Sequence, residues 1–210
     1  MLPSNTPAQD AHRRLQKWSP FFLRASSDMF IFARRHRENN EYISAYLCLW
    51  VAFNNLYSLL TNFSKKGEKR MIEEAIRALP ELKINQLLNN QEYVKRFHCL
   101  NNRQIREAPD FYGLMDMRSF FRGRPLGQCA KRLTLDVPPE SGSLTAKQDF
   151  FVQLGTQLLY TARNNLFHAV KGPDDPGDKT VAENAYHLLE PWIAPLLEAA
   201  KKQSNEVLRS

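Results

Sequence analysis

The chain has 210 residues and a mass of 24.4 kDa, which suits one domain and leaves no room for two full enzymatic domains. Hydrophobic residues make up 43% of the chain and charged residues 24%, so the composition is that of a folded protein and not of a disordered one. The net charge of +7 favours a polyanionic partner, and three widely spaced cysteines without a Cys-x-x-Cys pair disfavour a disulfide framework and a structural zinc.

The N-terminal residues 1–18 are basic and polar, and they predict a flexible arm in front of a single helical domain. They lack the apolar stretch and small-residue cleavage site of a secretory signal, so a cytoplasmic protein is expected. Ser19 followed by Pro20 is typical of a helix N-cap and first helical residue, and apolar residues then recur at steps of three and four. The pattern predicts a first helix over 20–37.

A second helix is predicted over 41–63, with Asn40 as its cap. Residues 42–64 carry no charge, so a membrane span is the alternative to a buried helix. Asn54 and Asn55 would lie in the middle of the membrane, where polar groups need partners inside protein. We therefore expect no membrane span, and place this helix in the centre of a bundle or at a subunit interface.

The middle of the chain has a weaker pattern. Two amphipathic helices are predicted over 68–79 and 82–99, and a third over 110–121. Because glycine and proline are frequent in residues 122–144, this stretch is predicted to be a loop.

The next helix has the clearest signals of any in the chain. Thr145 and Gln148 fit a capping box, and Gly172 followed by proline is a stop signal, so the helix is predicted over 145–171.

A final helix is predicted over 180–208, kinked or split by Pro191 and Pro195. No segment has comparable support as a strand. The sequence therefore predicts an all-α bundle of about five to seven helices with a long central helix pair.

The positive charge is regional. Residues 1–40 carry a net charge of +4 and residues 95–132 a net charge of +6, whereas residues 174–200 carry −5. The densest cluster of cations consists of Arg34, Arg35 and Arg37, which suggests a surface for RNA. The alternative is an ordinary helix end, where cations favour the negative end of the helix dipole.

Most motifs of cofactor chemistry are missing. The sequence has no phosphate-binding glycine loop, no Gly-x-Ser-x-Gly turn, no His-Glu-x-x-His and no cluster of metal-binding carboxylates. No metal and no cofactor is therefore expected.

A polar, uncharged stripe runs along the predicted helix 145–171. Its members are Gln153, Gln157, Tyr160, Asn164 and His168, which follow one another at steps of three or four residues. Such a stripe is typical of a helix that lines a groove. Asn164 precedes His168 by one turn, where its amide can orient the imidazole ring.

Arg163 lies off this stripe. It precedes His168 by five residues, about 140° around a helix, so both side chains reach one target most easily when a second copy of the chain contributes. The alternative is structural, because a histidine in the last turn is often a helix cap and an arginine is often a surface ion-pair donor.

The string from Arg163 to His168 resembles the signature of the HEPN superfamily (higher eukaryotes and prokaryotes nucleotide-binding domain), an Arg, a polar residue and a His near the end of a long helix. The stretch Leu49–Tyr57 is similar to the aromatic first core helix of a prokaryotic branch. The resemblance covers 41–64 and 145–205. Members of this branch often have glycine directly after the histidine, whereas in this sequence the first glycine after His168 is Gly172.

The resemblance implies an all-α homodimer in which two Arg…His motifs face each other across a cleft and cleave RNA without a metal. It implies catalytic roles for Arg163, Asn164 and His168. RNA contacts are expected from Arg34, Arg35, Arg37, Tyr160 and Lys171. Small members of the family are commonly toxins of toxin–antitoxin or phage-defence pairs, so an antitoxin protein is a possible partner.

Two other functions stay open. A domain of this fold can be a non-catalytic module that binds RNA, a nucleotide or a protein. A small membrane-associated helical protein is the third alternative, and it depends on residues 42–64 alone.

Overall fold

The computed structural model describes residues 7–64, 66–106, 135–136, 138–139, 141–167 and 176–209. Every regular element in these ranges is a helix and none is a strand, so the predicted all-α fold is confirmed. The elements are α1 (Pro7–Glu38), α2 (Tyr42–Leu60), α3 (Glu68–Ile76), α4 (Glu81–Leu88), α5 (Gln91–Arg106), α6 (Leu144–Gln153), a π-helical segment (Leu154–Leu159), α7 (Tyr160–Phe167) and α8 (Pro176–Arg209).

Helix α2 lies at the centre of the bundle and packs most extensively against α1 and α8. Its fully buried side chains include Tyr46, Trp50 and Phe53, and the Phe53 ring meets the buried Trp192 of α8 edge to face, with 6.1 Å between ring centroids. Helices α2 and α8 thus form the long central pair. By length and composition α2 is also apolar enough to cross a membrane, but half of that stretch is buried inside the protein, as in the core helix of a bundle.

Helix α1 begins at Pro7, well before the predicted start at Pro20. Residues 7–18 are therefore helical, and the predicted start of the first helix at residue 20 is wrong. Ser19 is not an N-cap, because its buried hydroxyl donates to the carbonyl of Leu15 within the helix. Pro20 loses one helix hydrogen bond, and the burial of Leu15 on the preceding turn offsets that cost.

The helix from 82 to 99 is in fact two helices, α4 and α5, separated at Asn89 and Asn90. Asparagine competes with helix formation because its side chain bonds to nearby backbone groups, and Asn90 Oδ1 accepts from the Tyr93 backbone N–H at 3.0 Å. The predicted helix 110–121 lies outside the described residues, as does most of the predicted loop 122–144.

Two further details of the predicted helices differ from the structure. The cap of α6 is Ser143, whose hydroxyl accepts from the Ala146 N–H at 3.2 Å, and not Thr145. Helix α8 continues through Pro191 and Pro195 without a break. Trp192, which lies between the two prolines, ties this part of α8 to α5, because its Nε1 donates to the Tyr93 hydroxyl at 3.0 Å.

The predicted helix 145–171 is continuous over 144–167 but changes its winding at the π segment. A π turn pairs residues five apart, so it winds less per residue than an α turn. Gly155 lies in this segment and lets α3 approach closely: a Cβ atom on Gly155 would be 2.4 Å from Ile76 Cδ1 and 3.3 Å from Trp192. The missing side chain at Gly155 therefore sets the distance between the π segment, α3 and α8.

We expect Gly155→Ala to lower the free energy of unfolding by about 1–2 kcal/mol, because Ile76 is fully buried and has little room to move. Ile76→Val removes the clashing Cδ1 atom and should cost about 1 kcal/mol alone. In urea unfolding the double variant should be more stable than the sum of the two changes predicts. Simple additivity would contradict the proposed close contact.

Candidate functional site

Arg163 lies on α7, four residues after the π segment, and its side chain is 22% exposed. Its Nη2 atom is 3.6 Å from Glu68 Oε1, and its Nη1 donates to Asn164 Oδ1 at 2.7 Å. Two of the three predicted catalytic residues, Arg163 and Asn164, are thus in direct contact. The structure orients the guanidinium between the first turn of α3 and the neighbouring amide.

Glu68 is the centre of this site. Its Oε1 accepts a hydrogen bond of 2.6 Å from the Tyr57 hydroxyl, and its Oε2 accepts one of 3.0 Å from the Tyr160 hydroxyl. The carboxylate therefore joins α2, α3 and α7 through three side chains. Sequence reasoning missed Glu68, because an acidic residue in the first turn of a helix is explained by the helix dipole alone.

Aromatic rings surround the guanidinium of Arg163. Its Cζ atom is 5.7 Å from the centroid of the Trp50 ring and 5.6 Å from that of Tyr160, distances at which a cation is attracted to the face of a ring. Among the described residues the buried Trp50 Nε1 has no hydrogen-bond acceptor. Within the described part of the chain, the arginine therefore lies against two aromatic rings with the Glu68 carboxylate beside it.

The electrostatics of the site favour neutral tyrosines. Burial raises the pKa of Tyr57, and the adjacent Glu68 carboxylate raises it further. Burial also raises the pKa of Tyr46, against the opposing effect of Arg163, and the Tyr46 hydroxyl donates to the carbonyl of Leu159 at 2.7 Å. These hydroxyls act as hydrogen-bond donors that fix the end of the π segment and the carboxylate.

The prediction that Tyr160 contacts RNA does not fit its position. Tyr160 is 5% exposed, its hydroxyl bonds to Glu68, and its ring packs on Trp50 with 6.1 Å between centroids. Regular α-helical spacing places Tyr160 on the polar stripe with Gln153 and Gln157, whereas the π segment rotates it relative to the residues before it. The predicted residues His168 and Lys171 lie outside the described residues.

The cluster Arg34, Arg35 and Arg37 is exposed at the C-terminal end of α1. Arg34 forms an ion pair of 2.9 Å with Glu190 on α8, and its guanidinium lies 4.3 Å from the Phe30 ring centroid. These contacts are with α8 and α1, whereas the described contacts of Arg163 are with α2, α3 and its own helix α7. The structure therefore places the cluster in a different set of contacts from the Arg163 site.

An open groove of about 700 Å³ runs between α3 and the part of the continuous helix where α6 passes into the π segment. Gln157 of the predicted polar stripe lines it together with Thr156 and Val152. Lys69 lies at the groove and also 5.3 Å from the Tyr160 ring centroid, so the groove ends beside the Glu68 site. The other lining residues are charged: Arg70, Glu73, Glu74 and Arg77.

Within the described part of the chain, no group of three or more His, Cys, Asp or Glu side chains is arranged to hold a metal ion. No protein-family model, no curated protein and no solved structure matches the chain.

We expect Glu68→Ala to lower the free energy of unfolding by about 2–4 kcal/mol, because it removes the acceptor of two buried tyrosine hydroxyls and the partner of Arg163. The matched control is Glu198→Ala on α8, which removes an exposed carboxylate that pairs with Lys201 at 2.7 Å and should cost less than about 1 kcal/mol. Chemical denaturation of both variants measures the difference. Equal costs would show that Glu68 does not join the three helices.

The raised pKa of Tyr57 has a consequence for stability at high pH. In the unfolded chain tyrosine ionises near pH 10, so above that pH the unfolded state binds fewer protons and stability falls as pH rises. Tyr57→Phe should make this fall shallower by about 1.4 kcal/mol per pH unit. Urea unfolding of both proteins between about pH 9 and about pH 11.5 tests this expectation. Parallel curves would mean that Tyr57 ionises as readily in the folded protein as in the unfolded chain.

Proposed function

We propose that the protein is a metal-independent endoribonuclease that acts as a HEPN-like homodimer. The observation that carries this proposal is the hydrogen bond from Arg163 Nη1 to Asn164 Oδ1 on α7. These two residues are the arginine and the polar residue of the motif described above. His168 follows in the sequence five residues after Arg163.

The residue types match the chemistry of RNA cleavage. The 2′-hydroxyl of a ribose attacks the adjacent phosphorus, a base removes its proton, and an acid protonates the leaving 5′-oxygen. Histidine titrates near neutral pH and suits either proton transfer. The guanidinium of Arg163 stabilises the negative charge that builds on the phosphate oxygens. The products are a 2′,3′-cyclic phosphate and a 5′-hydroxyl, and DNA is not cleaved because it lacks the 2′-hydroxyl.

The neighbours of Arg163 support this role by holding the guanidinium in place. The bond from Nη1 to Asn164 fixes one edge, and the rings of Trp50 and Tyr160 restrict the plane. Glu68 neutralises the arginine in the free protein at 3.6 Å, a distance longer than that of a close ion pair. A phosphate would compete with this carboxylate for the same cation.

A second copy of the chain completes the proposed site. On a regular helix Arg163 and His168 point in directions about 140° apart, so the arginine of one protomer and the histidine of the other are better placed for one phosphate. The proposed biological context is a toxin–antitoxin or phage-defence pair, in which an antitoxin protein is the partner of this chain.

A second candidate function is a non-catalytic binding module of the same fold. It is favoured by the engagement of Arg163 with Glu68 and Asn164 inside one chain, which is also what a purely structural arginine does. Such a module binds RNA, a nucleotide or a protein without breaking a bond.

The test is an RNA cleavage assay in excess EDTA. We expect the wild-type protein to cut an end-labelled single-stranded RNA, and His168→Ala and Arg163→Lys to lose at least about 100-fold in rate, as expected for loss of a general acid or base and of charge stabilisation. His98→Ala on α5 is the matched histidine control and should cut normally. Circular dichroism of each variant verifies the fold.

The outcomes separate the two functions. Cleavage that both variants lose and EDTA does not affect supports the ribonuclease. Tight RNA binding without cleavage by the wild type supports the binding module. Cleavage that EDTA abolishes would contradict the metal-independent mechanism, and a strictly monomeric protein in sedimentation would contradict the shared site.

A further inference from the structure

Helix α1 has an outer face with large exposed aromatic side chains. Trp18 is 42% exposed, Phe21 is 64% exposed and Phe32 is 43% exposed. At 100° per residue the three lie within about 60° of one another around the helix, and Trp18 and Phe32 are about 21 Å apart along it. We call this face the α1 stripe. It is long enough for several nucleotides.

Cations alternate with these rings on the same stripe. Arg14, Lys17, Arg24 and Arg35 are all exposed. Among the side chains that the structure describes on this face, the acidic one is Asp28, which lies 3.8 Å from Arg24. Lys17 Nζ lies 4.9 Å from the Trp18 ring centroid, and Arg35 Cζ lies 5.9 Å from that of Phe32. Rings and cations together cover about 120° of the helix surface.

The opposite face of α1 anchors the helix to the protein. Leu15, Ser26 and Ala33 on that face are buried, and Phe22 packs edge to face on Phe63 with 5.0 Å between centroids. The stripe is therefore presented by a helix whose position is fixed. Aromatic rings on such a helix can bind a partner without the cost of ordering a mobile segment.

We propose that the α1 stripe binds single-stranded RNA by stacking bases on Trp18, Phe21 and Phe32 while the surrounding cations bind phosphates. Exposed rings interleaved with lysine and arginine are the combination that proteins use for unpaired strands, since every base has a face that stacks and every nucleotide carries a phosphate. The choice of RNA rests on the proposed function, whereas the stripe itself is separate from the Arg163 site.

Charge argues for this occupant over two others. A second copy of the stripe would bring two faces together that each carry four cations and Asp28 among the described side chains, and this repulsion between like net charges is unfavourable. A helix that lies in a membrane surface separates its apolar face from its cations, whereas here the rings and the cations share one face and the opposite face is buried in the bundle.

The test uses the full chain with the His168→Ala change, so that RNA is bound and not cut. Fluorescence anisotropy with a labelled unstructured RNA measures Kd. We expect the double change Trp18→Ala and Phe21→Ala to raise Kd by at least about tenfold, since each base that loses its ring loses stacking. Leu82→Ala on α4 is the matched control, because Leu82 is 70% exposed and apolar but lies outside the stripe; it should leave Kd unchanged.

Salt dependence tests the cations. Lys17→Gln with Arg24→Gln should reduce the slope of log Kd against log salt by about 1.4, which is about 0.7 for each cation on a single strand. The control Lys95→Gln removes a cation on α5 that is 72% exposed and paired with Glu92, and it should leave the slope as it is.

Unchanged Kd and slope in the stripe variants would overturn the inference. So would a change in oligomeric state caused by Trp18→Ala and Phe21→Ala, since the stripe would then be a subunit interface. Binding of the wild type to anionic phospholipid vesicles but not to RNA would overturn it too. Cleavage of RNA by wild type with unaltered Kd in the stripe variants would reject the stripe and leave the proposed ribonuclease standing.

Discussion

The constraint on which the fold depends is that α2 carries no charge and buries a face that covers about half of its circumference. A helix with one apolar stripe needs one neighbour, whereas α2 buries nine of its residues and needs cover on several sides. Helices α1 and α8 supply most of it, and each is more than thirty residues long, so each spans the entire length of α2. Each large side chain that α2 buries contributes about 1.5–3 kcal/mol. The remaining helices pack around this three-helix core.

Glu68 gives the outer layer its connection to that core. Its carboxylate contacts Tyr57 of α2, Tyr160 at the start of α7 and Arg163, so one acidic residue fixes the relative position of three helices. It also sets the charge of the candidate site, because it neutralises the arginine that the proposed chemistry needs. The contact between Glu68 and Arg163 therefore stabilises the fold and also occupies the guanidinium. In the proposed reaction a substrate phosphate must replace the Glu68 carboxylate beside Arg163.

Much of the fold followed from patterns that lie within single segments. The uncharged stretch from residue 42 predicted a central helix, and steps of three and four residues predicted the helices around it. The errors have local causes as well. Pro20 imitates a helix start, although burial of Leu15 carries α1 through it. Asn89 and Asn90 end a helix that the apolar pattern alone continues.

The site was less predictable, because it depends on contacts between distant segments. Arg163 and Asn164 are neighbours in the sequence, but the helical spacing predicted that the Asn164 amide orients His168, and the bond from Arg163 to Asn164 was not predicted. Glu68 is 95 residues from Arg163, and nothing in its own segment signals the pairing. The burial of Tyr160 was missed because a π turn has no clear sequence signature. HEPN-like function stays a proposal that the assays must decide.

The π segment has one consequence for how the helix tolerates changes in length. A π turn holds one residue more than the α turn that replaces it, so a chain shortened by one residue within 154–159 could keep an unbroken helix. The α turn with one residue fewer carries the helix through nearly the same rotation, so α7 would keep its orientation. The guanidinium of Arg163 would then stay beside the Glu68 carboxylate. The wider turn thus absorbs the surplus residue, and this part of the helix can lose one residue without turning its end away from α3.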